Sequence, residues 1–214
     1  MIGADQIFLG EGGLMTEFFF GEETKNIKLP ESNLFFHLIK DENLMDWAER
    51  YHRKFMDLCL KENSEFGYIL LAFFTFKARK QDVKQDLNID EEEWIKLNRD
   101  YIQRWDVLRT EYEDSIPQCP PILIQGLMCT KGGHGDAYAL DNKMTCKEAE
   151  EYHTDQIKAL AEHTKVDFVF VCLVTYSEEG IGICNAAAKV SLPVVLSYTT
   201  ETDGRLHGGE SIKV

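Results

Sequence analysis

The stretch Ser197–Leu206, SYTTETDGRL, carries the apolar run LPVVLSY (Leu192 to Tyr198) abruptly into a polar turn on Asp203-Gly204. Upstream, GHGDAY (Gly133 to Tyr138) follows a second apolar run, Ile122 to Leu127, in the same manner. Between these motifs lie a helical pattern, the apolar run Phe168 to Val174 and another helical pattern. The order strand, glycine loop, helix, strand, helix, strand predicts parallel β/α units with right-handed crossovers. Polar motifs that fall only at strand C-termini are how a (β/α)8 barrel assembles a site.

The same alternation extends toward the N-terminus. Gln6 to Leu9 is a short apolar strand closed by GEGG (Gly10 to Gly13). A helix is expected from about Leu34 to Asn63, with Leu44, Trp47, Ala48, Tyr51, Phe55, Leu58 and Cys59 at three- and four-residue steps on one buried stripe. Tyr68 to Phe74 suits a strand covered on both faces, and Lys77 to Asn88 reads as a charged loop or short helix. A second long helix, about Glu91 to Glu113, turns Trp94, Leu97, Tyr101, Trp105, Leu108 and Tyr112 to one side, and Glu91 to Glu93 complement its dipole. PQCPP (Pro117 to Pro121) ends it.

Thr145 followed by Glu148 is a capping box opening a helix whose inner stripe is Ala149, Tyr152, His153, Ile157, Leu160 and Ala161. Ser177 is expected to cap the next helix, to Val190, with Ile181, Cys184 and Ala187 inward. Pro193 stands at the start of the last strand, where a missing N–H is tolerated. Five strands of this kind fit either an open doubly wound sheet or five-eighths of a barrel. Periodicity does not separate the two; length favours the open sheet and the motifs favour the barrel.

At 214 residues the chain is expected to be a single domain, residues 1–214, with 44% hydrophobic and 28% charged residues. Its net charge of −14 argues against a nucleic-acid partner, which requires clustered Lys and Arg. The apolar runs are far too short to cross a bilayer, and the N-terminus has no secretory pattern, so no membrane partner and a cytoplasmic address are expected. The 6 cysteines lack CxxC spacing and read as reduced thiols. Cys119, Cys129, His134 and Cys146 give only one zinc-like pair, Cys129 with His134, with no second pair to complete a site. His37, His52, His153 and His163 lie on expected helices and read as structural or solvated.

LGEGGLMTE (Leu9 to Glu17), QGLMCTKGGHGDAY (Gln125 to Tyr138), VDFVFVCLVTYSEEGIGI (Val166 to Ile183) and SYTTETDGRL together resemble the homocysteine S-methyltransferase family. The resemblance runs from about residue 6 to residue 212 and is strongest after Pro121. It implies a TIM-type (β/α)8 barrel, with homocysteine and an activated methyl donor as substrates and methionine as product. It places Glu11, Gly12, Gly13, Gln125, Gly126, Asp136, Tyr138, Cys172, Thr199 and Glu201 around the substrate. Glu11 would hold the amino group by charge-assisted hydrogen bonds, and the glycine loops would bring backbone N–H groups to the carboxylate. Cys172 stands where better-known members carry Glu.

The family activates the homocysteine sulfur with zinc held by three cysteines, one after the sixth strand and an adjacent pair after the eighth. A free thiol has a pKa near about 8.5, and the metal stabilises its thiolate. None of those cysteines has a counterpart here: the sequence reaches Val214 eight residues after Leu206, and it contains no Cys-Cys pair. The expectation is therefore a barrel truncated after its fifth strand, as a fragment, an inactive relative or a binding module derived from the family. Its catalytic residues and metal ligands stay unassigned, and self-association through open sheet edges is expected.

Overall fold

A computed structural model describes residues 7–27, 39–61, 67–73, 88–131 and 143–212. Five strands, β1 (Phe8–Gly10), β2 (Tyr68–Phe73), β3 (Ile122–Cys129), β4 (Phe168–Val174) and β5 (Val194–Tyr198), form one sheet in the order β1-β2-β3-β4-β5. Every pairing is parallel. The helices are α1 (Leu14–Phe20), α2 (Glu42–Lys61), α3 (Glu91–Ser115), α4 (Cys146–His163) and α5 (Ser177–Lys189).

Strand alternation separates two faces. Ile69 and Leu71 of β2, Ile122, Ile124 and Met128 of β3, and Val169 and Val171 of β4 are buried beneath the described helices. Tyr68, Leu70, Leu123, Leu127, Phe168 and Phe170 alternate with them and are half-buried on the opposite face. Sequential strand order with helices packed on one face gives a curled half-barrel, not a doubly wound sheet.

The largest core cluster joins α1, α2 and α3 to β2 and β3, with Trp105, Tyr101, Met56 and Ile102 almost inaccessible. Truncating Trp105 to Ala should cost about 3–5 kcal/mol, because the site cannot collapse around so large a loss. Outside this core, Arg104 binds Glu42, Asp46 and Glu49, and Arg53 binds Glu49 and Glu111 at 2.9 and 2.7 Å, fastening α3 to α2. Asp90 caps α3 by accepting from Glu93 N at 2.8 Å, and the Thr145/Glu148 capping box of α4 forms in full.

Three local expectations are corrected, and one helix has no counterpart in the sequence reading. Leu14–Phe20 is helical, although no capping side chain announces it: its N-cap is Gly13, which has none. Ser177 is the first residue of α5, not its cap; Tyr176 holds the N-cap position without a side-chain bond. On α5 the inward residues are Gly180, Gly182, Ile183, Ala186 and Ala187, while Ile181 and Cys184 face solvent. Gly182 explains the rotation: a Cβ there would sit 2.5 Å from Ala149 Cβ, so the bare backbone lets α5 press onto α4. Leu58 of α2 is also exposed. The stretch Lys77–Asn88 lies outside the described residues up to position 87.

Candidate functional site

Because all strands run parallel, the segments that leave their C-terminal ends gather along one edge of the sheet. Gly10 ends β1, and Glu11 turns at once into the α1 N-terminus. Its carboxylate accepts from Gly13 N at 3.4 Å and is approached by Leu14 N and the Tyr51 hydroxyl. Glu11 Oε1 lies 3.9 Å from His52 Nε2, with both side chains almost inaccessible.

Burial raises the Glu11 pKa, and the bonds from Gly13, Tyr51 and Leu14 oppose that rise. Burial, then the charge of Glu11, pushes Tyr51 up to about 12. Burial also lowers His52 to about 4, against the opposing pull of the Ala48 carbonyl, so its contact with Glu11 is not an ion pair at neutral pH. A Cβ at Gly13 would crowd Tyr51 Oη at 3.0 Å, whereas one at Gly12 would meet nothing.

Gln125 lies midway along β3, in register with Ala72 and Phe168, and is largely buried. Gly126 faces the other way: a Cβ would lie 3.0 Å from Leu160 Cδ1, so this glycine serves the packing of α4 on β3. At the end of β3, Cys129 is in register with Cys172 of β4, and their sulfurs lie 3.3 Å apart. Just beyond, β4 bulges: Leu173 has φ 62° and the register shifts between Val171 and Val174. Thr130 Oγ1 holds the bulge by donating to Leu173 O at 3.1 Å. Bulges at barrel rims re-aim side chains next to functional sites.

After β5, Thr199 N donates to Val174 O at 2.9 Å. The SYTTETDGRL motif folds back on itself through antiparallel bridges Thr200–Leu206 and Arg205–Ser211, with Gly204 at φ 77°. Asp203 Oδ1 accepts from Arg205 N at 3.0 Å, and Glu201 Oε1 engages His207 Nδ1 at 2.7 Å. Leu206 is buried, and Gly208 N donates to Thr175 O at 3.2 Å, docking this hairpin on the end of β4. Asp136 and Tyr138, with the rest of GHGDAY, lie outside the described residues.

Glu11, Cys172, Thr199 and Glu201 thus stand at or just past strand C-termini, with Gln125 deeper in β3. Glu11 is turned into the α1 N-terminus and Glu201 toward His207. Two features escape sequence reasoning. One is Cys129 as the neighbour of Cys172, which only strand register reveals. The other is Glu179, which accepts from Lys131 N at 2.7 Å and lies 3.0 Å from His153 Nε2, anchoring Lys131 just past the end of β3. A cleft of about 360 Å³ lined by Glu17, Trp47, Arg50, Tyr51, Phe55 and Leu58 lies between α1 and α2.

The homocysteine S-methyltransferase family profile matches residues 11–214. The chain belongs to the homocysteine S-methyltransferase family. Among solved structures it is similar to the homocysteine methyltransferase MmuM from Escherichia coli in its metallated form, at 15% identity and a TM-score of 0.74, over 97% of this chain and 67% of that one. The oxidized form of MmuM matches at 16% identity and a TM-score of 0.75, over 97% and 66%. At that identity the likeness speaks for the fold alone, and the chain spans about two thirds of the length of those structures. No curated protein matches the chain.

A zinc ion needs three or four protein ligands. Among the described residues no group of three or more His, Cys, Asp or Glu converges to hold a metal; Cys129 and Cys172 supply two sulfurs. The described side chains therefore do not fit the metal site that the family implies. No helix among the described residues is long and apolar enough to cross a membrane.

Proposed function

We propose that this chain binds homocysteine at the C-terminal edge of its half-barrel, as the substrate-holding part of a reaction that moves a methyl group from an activated donor to the homocysteine sulfur, giving methionine. The observation that carries this reading is the family match across residues 11–214 on a parallel sheet whose C-terminal edge gathers Glu11, Cys172, Thr199 and the SYTTETDGRL hairpin, with Gln125 deeper on the inner face. Barrel enzymes of this architecture use that edge for chemistry.

The amino acid end of the ligand needs a carboxylate acceptor and N–H donors. Gly12 and Gly13, with Asp136 and Tyr138 of the GHGDAY motif, are the positions for them. Gln125 offers a neutral amide on the inner face, and Thr199 a hydroxyl at the end of β5. Without the family's strand-four Glu, Cys172 presents a thiol in place of a carboxylate, and the amino group relies on Glu11. Glu11 must then release the α1 N-terminus on binding, exchanging Gly13 N–H for the ligand ammonium.

These 214 residues contain no counterpart of the three zinc-binding cysteines, so we assign them the binding half of the reaction and not the activation of sulfur. The homocysteine thiol stays mostly protonated at neutral pH without a metal. Isothermal titration calorimetry with homocysteine, alongside a methylation assay with several activated donors, tests this. Saturable homocysteine binding without methionine formation is expected. Absence of binding at millimolar ligand would overturn the reading. Methionine formation would overturn the assignment of the binding half alone.

A further inference from the structure

We propose that Cys129 and Cys172 form a dithiol site that reacts with low-molecular-weight disulfides such as oxidised glutathione, the product being an intrachain disulfide that joins β3 to β4. This goes beyond the homocysteine reading and does not depend on it. The two residues are direct register partners on neighbouring parallel strands, and their sulfurs already lie 3.3 Å apart. Neighbouring strands are spaced by about 4.8 Å, inside the about 4.4–6.8 Å range of Cα separations that a disulfide spans. The remaining approach is little more than the overlap of two sulfurs in contact, and it falls beside the β4 bulge at Leu173, where the strand has already left regular register.

The two thiols differ in a way that assigns roles. Both lie on the inner face of the sheet, Cys172 half-buried and Cys129 buried. The hydrogen bond with Cys129 holds the Cys172 thiol below its ordinary pKa, outweighing burial, which acts in the opposite direction. Cys184 lies on the outer surface of α5 and Cys119 in the turn after α3, and burial raises the pKa of both. A lowered pKa beside a second thiol is the arrangement of an attacking and a resolving cysteine.

The Cys172 thiolate attacks one sulfur of the small disulfide. That S–S bond breaks, the first small thiolate leaves, and a mixed disulfide remains on Cys172. Cys129 then attacks Cys172 Sγ, its proton passing to the second small thiolate as it departs. Two protein thiols are oxidised by two electrons in total, and one small disulfide is reduced to two thiols. The new bond staples β3 to β4 on the inner face, two residues after Leu127 and Phe170, and removes the Cys172 thiol from the candidate site.

The test uses the full chain carrying C119S and C184S, so that the tryptic peptides of Cys129 and Cys172 each hold one cysteine. Reduced protein is exposed to oxidised glutathione, quenched with N-ethylmaleimide and mapped by mass spectrometry. The expected product is a single cross-link between those peptides. Adding Cys129→Ser should arrest the reaction as a glutathione adduct on Cys172. Adding Cys172→Ser should slow modification of Cys129 at least about tenfold. The unsubstituted chain, digested with chymotrypsin and sequenced by fragmentation, must show the same link, which keeps the test independent of how the variants fold. The proposal fails if Cys129 and Cys172 remain alkylatable while Cys59 or Cys146 is modified, if either sulfur links elsewhere, or if no Cys172 adduct accumulates in C129S.

Discussion

Glu179 Oε1 lies 3.0 Å from His153 Nε2, with both side chains inaccessible, and the same oxygen accepts from Lys131 N at 2.7 Å. One carboxylate therefore ties α5 to α4 and both to the residue that leaves β3. Replacing Glu179 with Ala strips the imidazole and a backbone N–H of a partner at once. The buried imidazole orphan costs about 1–3 kcal/mol and the part-buried Lys131 N–H less, so a loss of about 1–4 kcal/mol is expected by urea denaturation. Glu179→Gln, which can still accept one bond, should lose about half as much. A loss under about 0.5 kcal/mol for the Ala variant would show that the contact contributes nothing.

Acid stability should report His52. Its pKa is held near 4 by burial, against 6.5 when exposed. Between those values the unfolded chain takes up a proton that the folded chain refuses. Its contribution is therefore complete above pH 6.5 and is lost as pH falls toward 4, by on the order of 3 kcal/mol. Glu11 acts in the opposite sense, since a raised carboxyl pKa favours the folded state as pH falls. Urea midpoints between pH 7 and 4.5 should thus fall more shallowly in His52→Gln and more steeply in Glu11→Gln than in the unsubstituted chain. Identical slopes in all three would contradict the assignment.

Gly182→Ala should destabilise the protein although Ala favours a helix by about 1 kcal/mol over Gly. The added Cβ would stand 2.5 Å from Ala149 Cβ and 2.7 Å from Cys146 O, so α4 and α5 must separate. Overpacking of this kind costs about 1–3 kcal/mol. Thermal denaturation decides the sign, and a raised Tm would show that the helix pair yields easily.

The strands were legible as near-continuous apolar runs, because one face is buried under helices and the other is half-buried: Tyr68–Phe73 and Phe168–Val174 fall within a residue of expectation. The Thr145/Glu148 box marked α4 for an equally local reason. The inward face of α5 was not legible, because glycines there mark contact instead of a turn, and hydropathy puts Ile181 and Cys184 ahead of Gly180 and Gly182. Candidate positions at strand ends could be read from motifs. Their partners could not: Cys129 meets Cys172, and Glu179 meets His153, only once register and helix packing are set.

The inner face of the sheet carries Phe8 and Val195 at 37% and 45% exposure beside Tyr68, Leu70, Leu127 and Phe170. Prepared as these 214 residues, the chain should self-associate through this face and through β1 and β5, each of which pairs on one side only among the described residues. Sedimentation velocity should show concentration-dependent oligomers that Val195→Asp shifts toward monomer. A monomer at all concentrations would contradict this.

The central claim is that homocysteine sits at the C-terminal edge of the strands, and hydrogen exchange with and without saturating homocysteine tests it most directly. The account predicts slowed exchange in Glu11–Leu14, Thr130–Lys131 and Thr199–Leu206, with α2 and the outer surface of α3 unchanged. Slowing confined to the α1–α2 cleft around Trp47 and Arg50, or no change at any segment with bound ligand, would contradict it.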